Sequence, residues 1–298
     1  MMRTQNGFTL IELLVASTIG LLLIAATGQI FLSNKQSFSA QEAMGNIQEN
    51  ARLAMYFLQR DVRMAGFPKR DGPPTIVLGA CPAISTCTYT GGTPNVNNPS
   101  ATLGSGETCG AGTGSFNCAN GQSDQIEVQY QSTRDCLGRA VTQVAGTSGA
   151  YVANRYYVAI DPVTRTRRLM CNSFYLNGAT FAQTPIAGGE QPLVEGIESL
   201  QILYGIDANS NPAANVPAVF ATEYRTASQL IPAAQDVDKI VSIRIGVLAS
   251  SVSATGSYNT AENALQKYLL LDAPVFSRND LLRRRTFVST VEVRNRSL

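Results

Sequence analysis

Apolar residues dominate the chain from Phe8 to Leu32, and after Glu12 no charge appears until Lys35. Leu13 to Leu32 is a run of 20 uncharged residues. As a helix it measures about 30 Å, the thickness of a bilayer's hydrocarbon core. The pattern then changes character without a break. Ala40, Met44, Ile47, Ala51, Ala54, Leu58, Val62 and Ala65 recur at spacings of three or four. Gln41, Glu42, Gln48, Glu49, Arg52, Gln59 and Arg63 fall largely off that line. This is one apolar stripe on a helix. Gly66-Phe67-Pro68 stops it, since proline cannot continue the hydrogen-bond ladder. The pattern predicts one helix from Phe8 to about Ala65. Its first half is apolar nearly all round and its second half is amphipathic.

From 69 to 123 the periodicity disappears. Gly, Thr, Ser, Pro and Asn dominate, and four of the six cysteines fall here. Turn signals without a repeat suggest a long surface excursion pinned by disulfides. Strand patterns follow. Gln125 to Gln131 alternates, with Ile126, Val128 and Tyr130 on one face. Tyr156, Val158 and Ile160 lead to the turn signal Asp161-Pro162, and Arg165 to Cys171 can return as a hairpin partner. Leu193 to Ile206 reads as a strand bent at Gly196. Val241, Ile243, Ile245 and Val247 alternate with polar residues, and Phe287, Val291 and Val293 close the chain. These runs predict an antiparallel sheet with one buried face, which the helix stripe would cover. The expectation is one α+β domain on a helical stalk.

Composition narrows the function classes. The 298 residues hold 23 Lys+Arg against 21 Asp+Glu and no histidine. Ser–His–Asp and Cys–His nucleophile arrangements are thereby excluded, as are zinc sites that need imidazole. No cofactor or metal is expected. Near-balanced charge gives no general case for a nucleic-acid partner. Two basic runs remain, "RTRR" (165–168) and "RRR" (283–285); these read as strand ends or carboxylate partners more readily than as phosphate contacts. "DANSN" (207–211) opens like a calcium loop but has Pro212 and Ala218 where an EF-hand needs Gly and Glu. Gly-rich 104–114 lacks the Lys-Ser/Thr of a P-loop.

The cysteines are Cys81, Cys87, Cys109, Cys118, Cys136 and Cys171, with no C-x-x-C pair. An even count in an exported domain favours disulfides. Pairing by proximity gives Cys81–Cys87, Cys109–Cys118 and Cys136–Cys171, although six cysteines allow other connectivities.

Glu12 is the anomaly of the apolar run. A secretory signal would be cut after its apolar region, where Ala26-Thr27-Gly28 offers a site. A carboxylate fits such a region poorly, because a buried charge needs a partner or a function. "G-FTLIELLVA", that is Gly7 and then Phe8 to Ala16, resembles the type IV prepilin motif. "LVEGIESLQILYGID" (193–207), "DKIVSIRIGVLASS" (238–251) and "RRRTFVSTVEVRNR" (283–296) resemble core strands of minor pilins of the PilW type. That family is related to the J-type pseudopilin of type II secretion.

The resemblance implies a type IV pilin-like fold. In it a long N-terminal helix, transmembrane and then amphipathic, packs on an antiparallel β-sheet domain. It implies a leader at 1–7, a transmembrane assembly helix at 8–34, an amphipathic helix at 35–66 and a β-rich periplasmic domain at 67–298. A prepilin peptidase would cleave after Gly7, and Phe8 would be N-methylated. Glu12 would neutralise the Phe8 amine of a neighbouring subunit during assembly. The implied role is a non-enzymatic minor pilin that primes or caps a type IV pilus. Its partners would be other minor pilins, the major pilin, a tip adhesin and inner-membrane lipid. A type II secretion pseudopilin, a membrane-anchored adhesin and a periplasmic enzyme are the alternatives.

Overall fold

The computed structural model describes residues 9–67, 123–141, 151–161, 163–176, 183–211, 216–230, 239–252, 266–273, 275–277 and 280–294. Helix α1, Leu10–Met64, runs unbroken for 55 residues. At 1.5 Å per residue it is about 82 Å long. Its first half has no buried residue, the most apolar 18-residue window included. Its second half buries Ala43, Ile47, Ala51, Ala54, Met55, Leu58, Asp61 and Val62. Six of the eight stripe positions expected from sequence are thus buried, counting Ala65 just beyond the helix. Ala40 and Met44 are only partly covered, because they lie where the helix enters the head. Met55 and Asp61 widen the buried face beyond the simple stripe. After Gly66, at φ +73°, the chain turns onto a sheet edge. There Gly66 N donates to Gln129 O (2.9 Å) and Gln131 N to Phe67 O (2.7 Å).

The strands are all antiparallel, but they form two principal sheets rather than one. The first contains β1 (Ile126–Gln131), β2 (Tyr151–Ile160), β3 (Arg167–Leu176) and β4 (Gln183–Pro185) in that order, with β5 (Gln191–Glu195) pairing a further stretch of β3. The second has the order β11-β8-β6-β7, where β6 is Ile197–Ile206, β7 Glu223–Arg225, β8 Ile240–Ser250 and β11 Arg284–Glu292. A short helix α2 (Ala227–Leu230) and a two-stranded ribbon of β9 (Lys267–Tyr268) and β10 (Phe276–Ser277) complete the elements.

Gly196 is where the run Leu193–Ile206 changes sheets. Its φ is +70°. Its N–H donates to Arg167 O in β3 (2.8 Å), while its carbonyl accepts from Ser250 N in β8 (2.7 Å). A Cβ there would stand 2.6 Å from the Ser250 carbonyl oxygen. Left-handed backbone and lack of space both demand glycine. Asp124 makes a second stitch: its N donates to Leu200 O (2.7 Å) and its Oδ2 accepts Ile202 N–H (2.8 Å).

The core lies where α1 meets both sheets. Ile47, Ala51, Ala54, Leu58 and Val62 join Ile126, Val128 and Tyr156 of the first sheet and Leu200, Ile202, Ile243 and Ile245 of the second. The alanines let the helix approach closely. Each large side chain buried here contributes about 1.5–3 kcal/mol. The lower half of the stalk has no such cover among the described residues.

Candidate assembly site

Thr9 is the first described residue; Gly7 and Phe8 lie outside the described residues, as do Cys81, Cys87, Cys109 and Cys118. Thr9 is the N-cap of α1 and forms a capping box with Glu12. Its Oγ1 accepts Glu12 N–H at 3.4 Å. Glu12 Oε2 in turn accepts Thr9 N–H and the Thr9 hydroxyl, both at 2.9 Å. Two groups that a helix end leaves unsatisfied are thus paired inside the chain. The carboxylate is folded back over the first turn, towards whatever precedes Thr9. A negative charge is also favoured at this positive end of the helix dipole.

Polar residues farther along are neutralised locally. The Ser17 hydroxyl donates to Leu14 O (2.9 Å), Thr18 to Val15 O (2.9 Å) and Thr27 to Leu23 O (3.0 Å). With these hydroxyls satisfied within the helix, the segment presents an effectively apolar surface to lipid or to other helices. Leu10, Ile11, Leu13, Leu22, Ile24 and Phe31 are among its exposed side chains.

The other end of α1 is fastened by a buried polar network. Asp61 is fully buried. Its Oδ2 accepts the Tyr156 hydroxyl at 2.5 Å and Asn154 Nδ2 at 2.7 Å; its Oδ1 accepts Arg60 Nε at 2.9 Å. Asn154 Nδ2 also donates to the Tyr130 hydroxyl (3.0 Å), and Asn154 Oδ1 accepts from Ser173 Oγ (2.8 Å) and Cys136 N (3.3 Å). Burial pushes the Tyr130 and Tyr156 hydroxyls well above the usual tyrosine range, and the Asp61 charge pushes them further. Burial opposes the Arg60 charge, but Asp61 outweighs it and holds the guanidinium above its ordinary value. Cys136 is disulfide-bonded to Cys171, with Cα atoms 6.6 Å apart. The bond joins the β1–β2 connection to β3, beside Ser173.

Sequence reasoning missed Asp61, Tyr130, Asn154 and Tyr156 as a unit. One signal was present: Asp61 adjoins Val62 in the apolar line Leu58–Val62–Ala65. A carboxylate at the edge of such a stripe must meet donors from the surface it covers.

The two arginine runs, more than a hundred residues apart, come together at one cleft of 360 Å³ lined by Arg165, Arg167, Arg284, Glu198 and Asp280 among others. Arg284 donates to Glu198 (2.8 and 3.0 Å) and to Asp280 Oδ1 (2.7 Å). Arg168 donates to Asp161 (2.5 Å). Backbone N–H groups of Thr164 and Val163 hold Asp161 below the usual carboxylate range. Most of these arginines therefore have carboxylate partners. The "DANSN" segment is an Asx turn: Asp207 accepts Asn209 N–H (3.1 Å) and Val219 N–H (3.0 Å).

Residues 155–295 match the family described as type IV pilus-assembly protein W. Residues 2–28 match the prokaryotic N-terminal methylation motif. Among solved structures, a type IV-like pilin from Thermus thermophilus is 14% identical and is matched over 62% of this chain and 84% of that chain, with a TM-score of 0.34. No curated protein matches. The methylation motif heads an exposed apolar helix whose far half is built into a β-rich head, the organisation expected of a pilin-class subunit. The two family matches together support a type IV minor pilin of the PilW type. Such proteins are structural components of the pilus, not enzymes. A role in pilus assembly follows, with contacts to other pilus components, membrane anchoring, and a prepilin peptidase acting on the motif.

Proposed function

We propose that this chain is a minor pilin that waits in the inner membrane with its head in the periplasm, then joins other minor pilins in a complex that starts or caps a type IV pilus. The carrying observation is the division of α1: one half exposed and apolar from Leu10 to Leu32, the other locked into the head through Leu58 and Asp61. A helix so divided can leave lipid for a bundle of like helices while the head keeps its shape. Cleavage falls between Gly7 and Phe8, which puts the new amine one residue before Thr9. Glu12, already folded towards that end, supplies the carboxylate for a neighbouring subunit's amine. The remaining cysteines, Cys81, Cys87, Cys109 and Cys118, pair as disulfides that pin the 69–123 excursion.

The test combines mass spectrometry of the membrane-extracted chain with co-purification of sheared pili. An N-methyl-Phe8 terminus and substoichiometric presence in pili are expected. A mature terminus at Gln29, or normal piliation without the protein, would refute the reading.

A further inference from the structure

Strand β11 forms one side of the second sheet, and among the described residues only β8 pairs with it. Its register against β8 is unbroken from Arg284–Ser250 to Glu292–Ser242. At the two ends Ser251 N donates to Arg283 O (2.9 Å) and Val293 N to Val241 O (3.0 Å). Antiparallel bonding alternates, so the odd-numbered residues from 283 to 293 bond to β8. The N–H and C=O groups of Thr286, Val288 and Thr290 therefore point away from the sheet. Val288 is 54% exposed, and Thr290 and Glu292 are exposed too.

Free sheet edges are normally blunted by shortness, proline, lysine or a bulge. β11 has none of these over its nine residues. Its centre, Thr286 to Val291, is uncharged and rich in β-branched side chains. Beside it a groove of about 490 Å³ runs between α1 and β11, lined by Gly45, Gln48, Glu49, Arg52, Arg285 and Phe287. Glycine weakens a helix interior. Nothing among the described residues requires it at 45, where a Cβ would meet no neighbouring atom within 4 Å. Its effect is to keep the groove open.

We infer that β11 takes on an extended edge strand from the head of a neighbouring minor pilin, with side chains of that strand entering the groove at Gly45. Orientation selects this occupant. Arg285 and Phe287 lie beside Gln48 and Arg52, and farther on Gln59 Nε2 donates to Ser289 Oγ (3.0 Å). β11 thus climbs along α1, away from its exposed apolar half. β8 and β6 pair antiparallel in the same sheet, so its long strands all follow the stalk. Heads of this fold on parallel stalks meet edge to edge, where main-chain hydrogen bonds join them into one sheet. The inference rests on the proposed minor-pilin role and adds the surface through which heads recognise one another.

A photoreactive benzoylphenylalanine in place of Val288 tests this in the full chain, expressed in cells that make the pilus. Irradiation of intact membranes should link it to a head strand of a different chain bearing the N-terminal methylation motif. Links within the same polypeptide, to a second copy, to a protein without the motif, or to no protein would each overturn the inference. Val288→Pro removes an outward N–H that β8 does not use, and Gly45→Phe fills the groove from a position with room for it. Each should leave the head's unfolding midpoint unchanged and lower co-purification with sheared pili about tenfold. Wild-type co-purification in either variant would overturn the inference. Absence of the unsubstituted chain from pili would instead refute the proposed function, and the cross-link in membranes would still decide this one.

Discussion

Tyr156 and Asp61, 95 residues apart, meet through a 2.5 Å hydrogen bond from hydroxyl to carboxylate in a fully buried site. One sits on the sheet and the other on the helix. The contact therefore spans the joint between stalk and head, where any pull on the stalk must be borne. Apolar packing alone would let the helix slide along its stripe. A buried carboxylate with several donors has only one satisfied register.

Removing the carboxylate should be costly. Asp61→Ala strands the Asn154 amide and the Tyr156 hydroxyl, and is expected to destabilise the head by about 2–4 kcal/mol. Tyr156→Phe should cost less, about 1–2 kcal/mol, since the acceptor keeps Asn154 and Arg60. Denaturant unfolding of the detergent-solubilised chain measures both. A double-mutant cycle without coupling between them would show that the bond does not fix the joint.

Much of this joint was legible in the sequence and some was not. The stripe through Ile47, Ala51, Ala54, Leu58 and Val62 shows because helical periodicity is a local property. The hairpin through Asp161 and the bend at Gly196 show because turn chemistry is local too. The partition into two sheets does not show, because antiparallel alternation looks alike in either sheet. Asp61's partners are hidden for a similar reason: Tyr130, Asn154 and Tyr156 lie on strands whose pairing sequence pattern does not specify. The motif at Gly7, Phe8 and Glu12 is legible as a motif, but the capping bond from Thr9 to Glu12 emerges only in the folded helix.

Alkaline pH should loosen the same joint. The Tyr130 and Tyr156 hydroxyls are held above their ordinary value near 10. Above that pH the unfolded chain loses these protons while the native chain keeps them. The native state then binds more protons, so stability falls as pH rises. It is fully present below about pH 10. Unfolding midpoints taken across that range should decline, and Tyr156→Phe should make the decline shallower. A flat profile in the unsubstituted chain would show that the tyrosines are not held neutral.

Gly196→Ala should be among the most damaging small substitutions. It adds a Cβ 2.6 Å from a backbone oxygen at a φ of +70°. Strain at such a position costs about 1–3 kcal/mol before the clash is added. The expected result is a large loss of soluble head and a lowered unfolding midpoint. A midpoint equal to that of the unsubstituted chain would mean the two sheets do not depend on this crossing.

The Cys136–Cys171 bond should matter through the unfolded chain. It closes a span of 35 residues, for which the chain-entropy relation gives about 4 kcal/mol. Cys136→Ser with Cys171→Ser should lower stability by an amount of that order. Retained binding to partner pilins at low temperature is expected, because both cysteines are buried and take no part in the exposed surface. Unchanged stability in the double variant would show that the network around Asn154 and Ser173 holds this region unaided.

Glu12→Ala separates folding from assembly. Among the described residues the carboxylate hydrogen-bonds to Thr9 alone, and it lies far from the head core. The head's unfolding midpoint should therefore not change, and cleavage after Gly7 should proceed. What changes is the pairing available in a helix bundle, where a neighbour's Phe8 amine meets an apolar surface instead of a carboxylate. An uncompensated charge there is unfavourable enough to cut incorporation by about tenfold or more. Glu12→Gln should be intermediate, since it can still accept Thr9 N–H but carries no charge. Thr9→Val keeps the carboxylate but removes the hydroxyl that holds it. If Glu12 acts through its charge, that variant should assemble far better than Glu12→Ala. If it acts as a helix cap, the two variants should fail together. Co-purification with sheared pili, scored beside a cleavage assay, decides between them; wild-type incorporation of Glu12→Ala would end the charge-pairing account for this subunit.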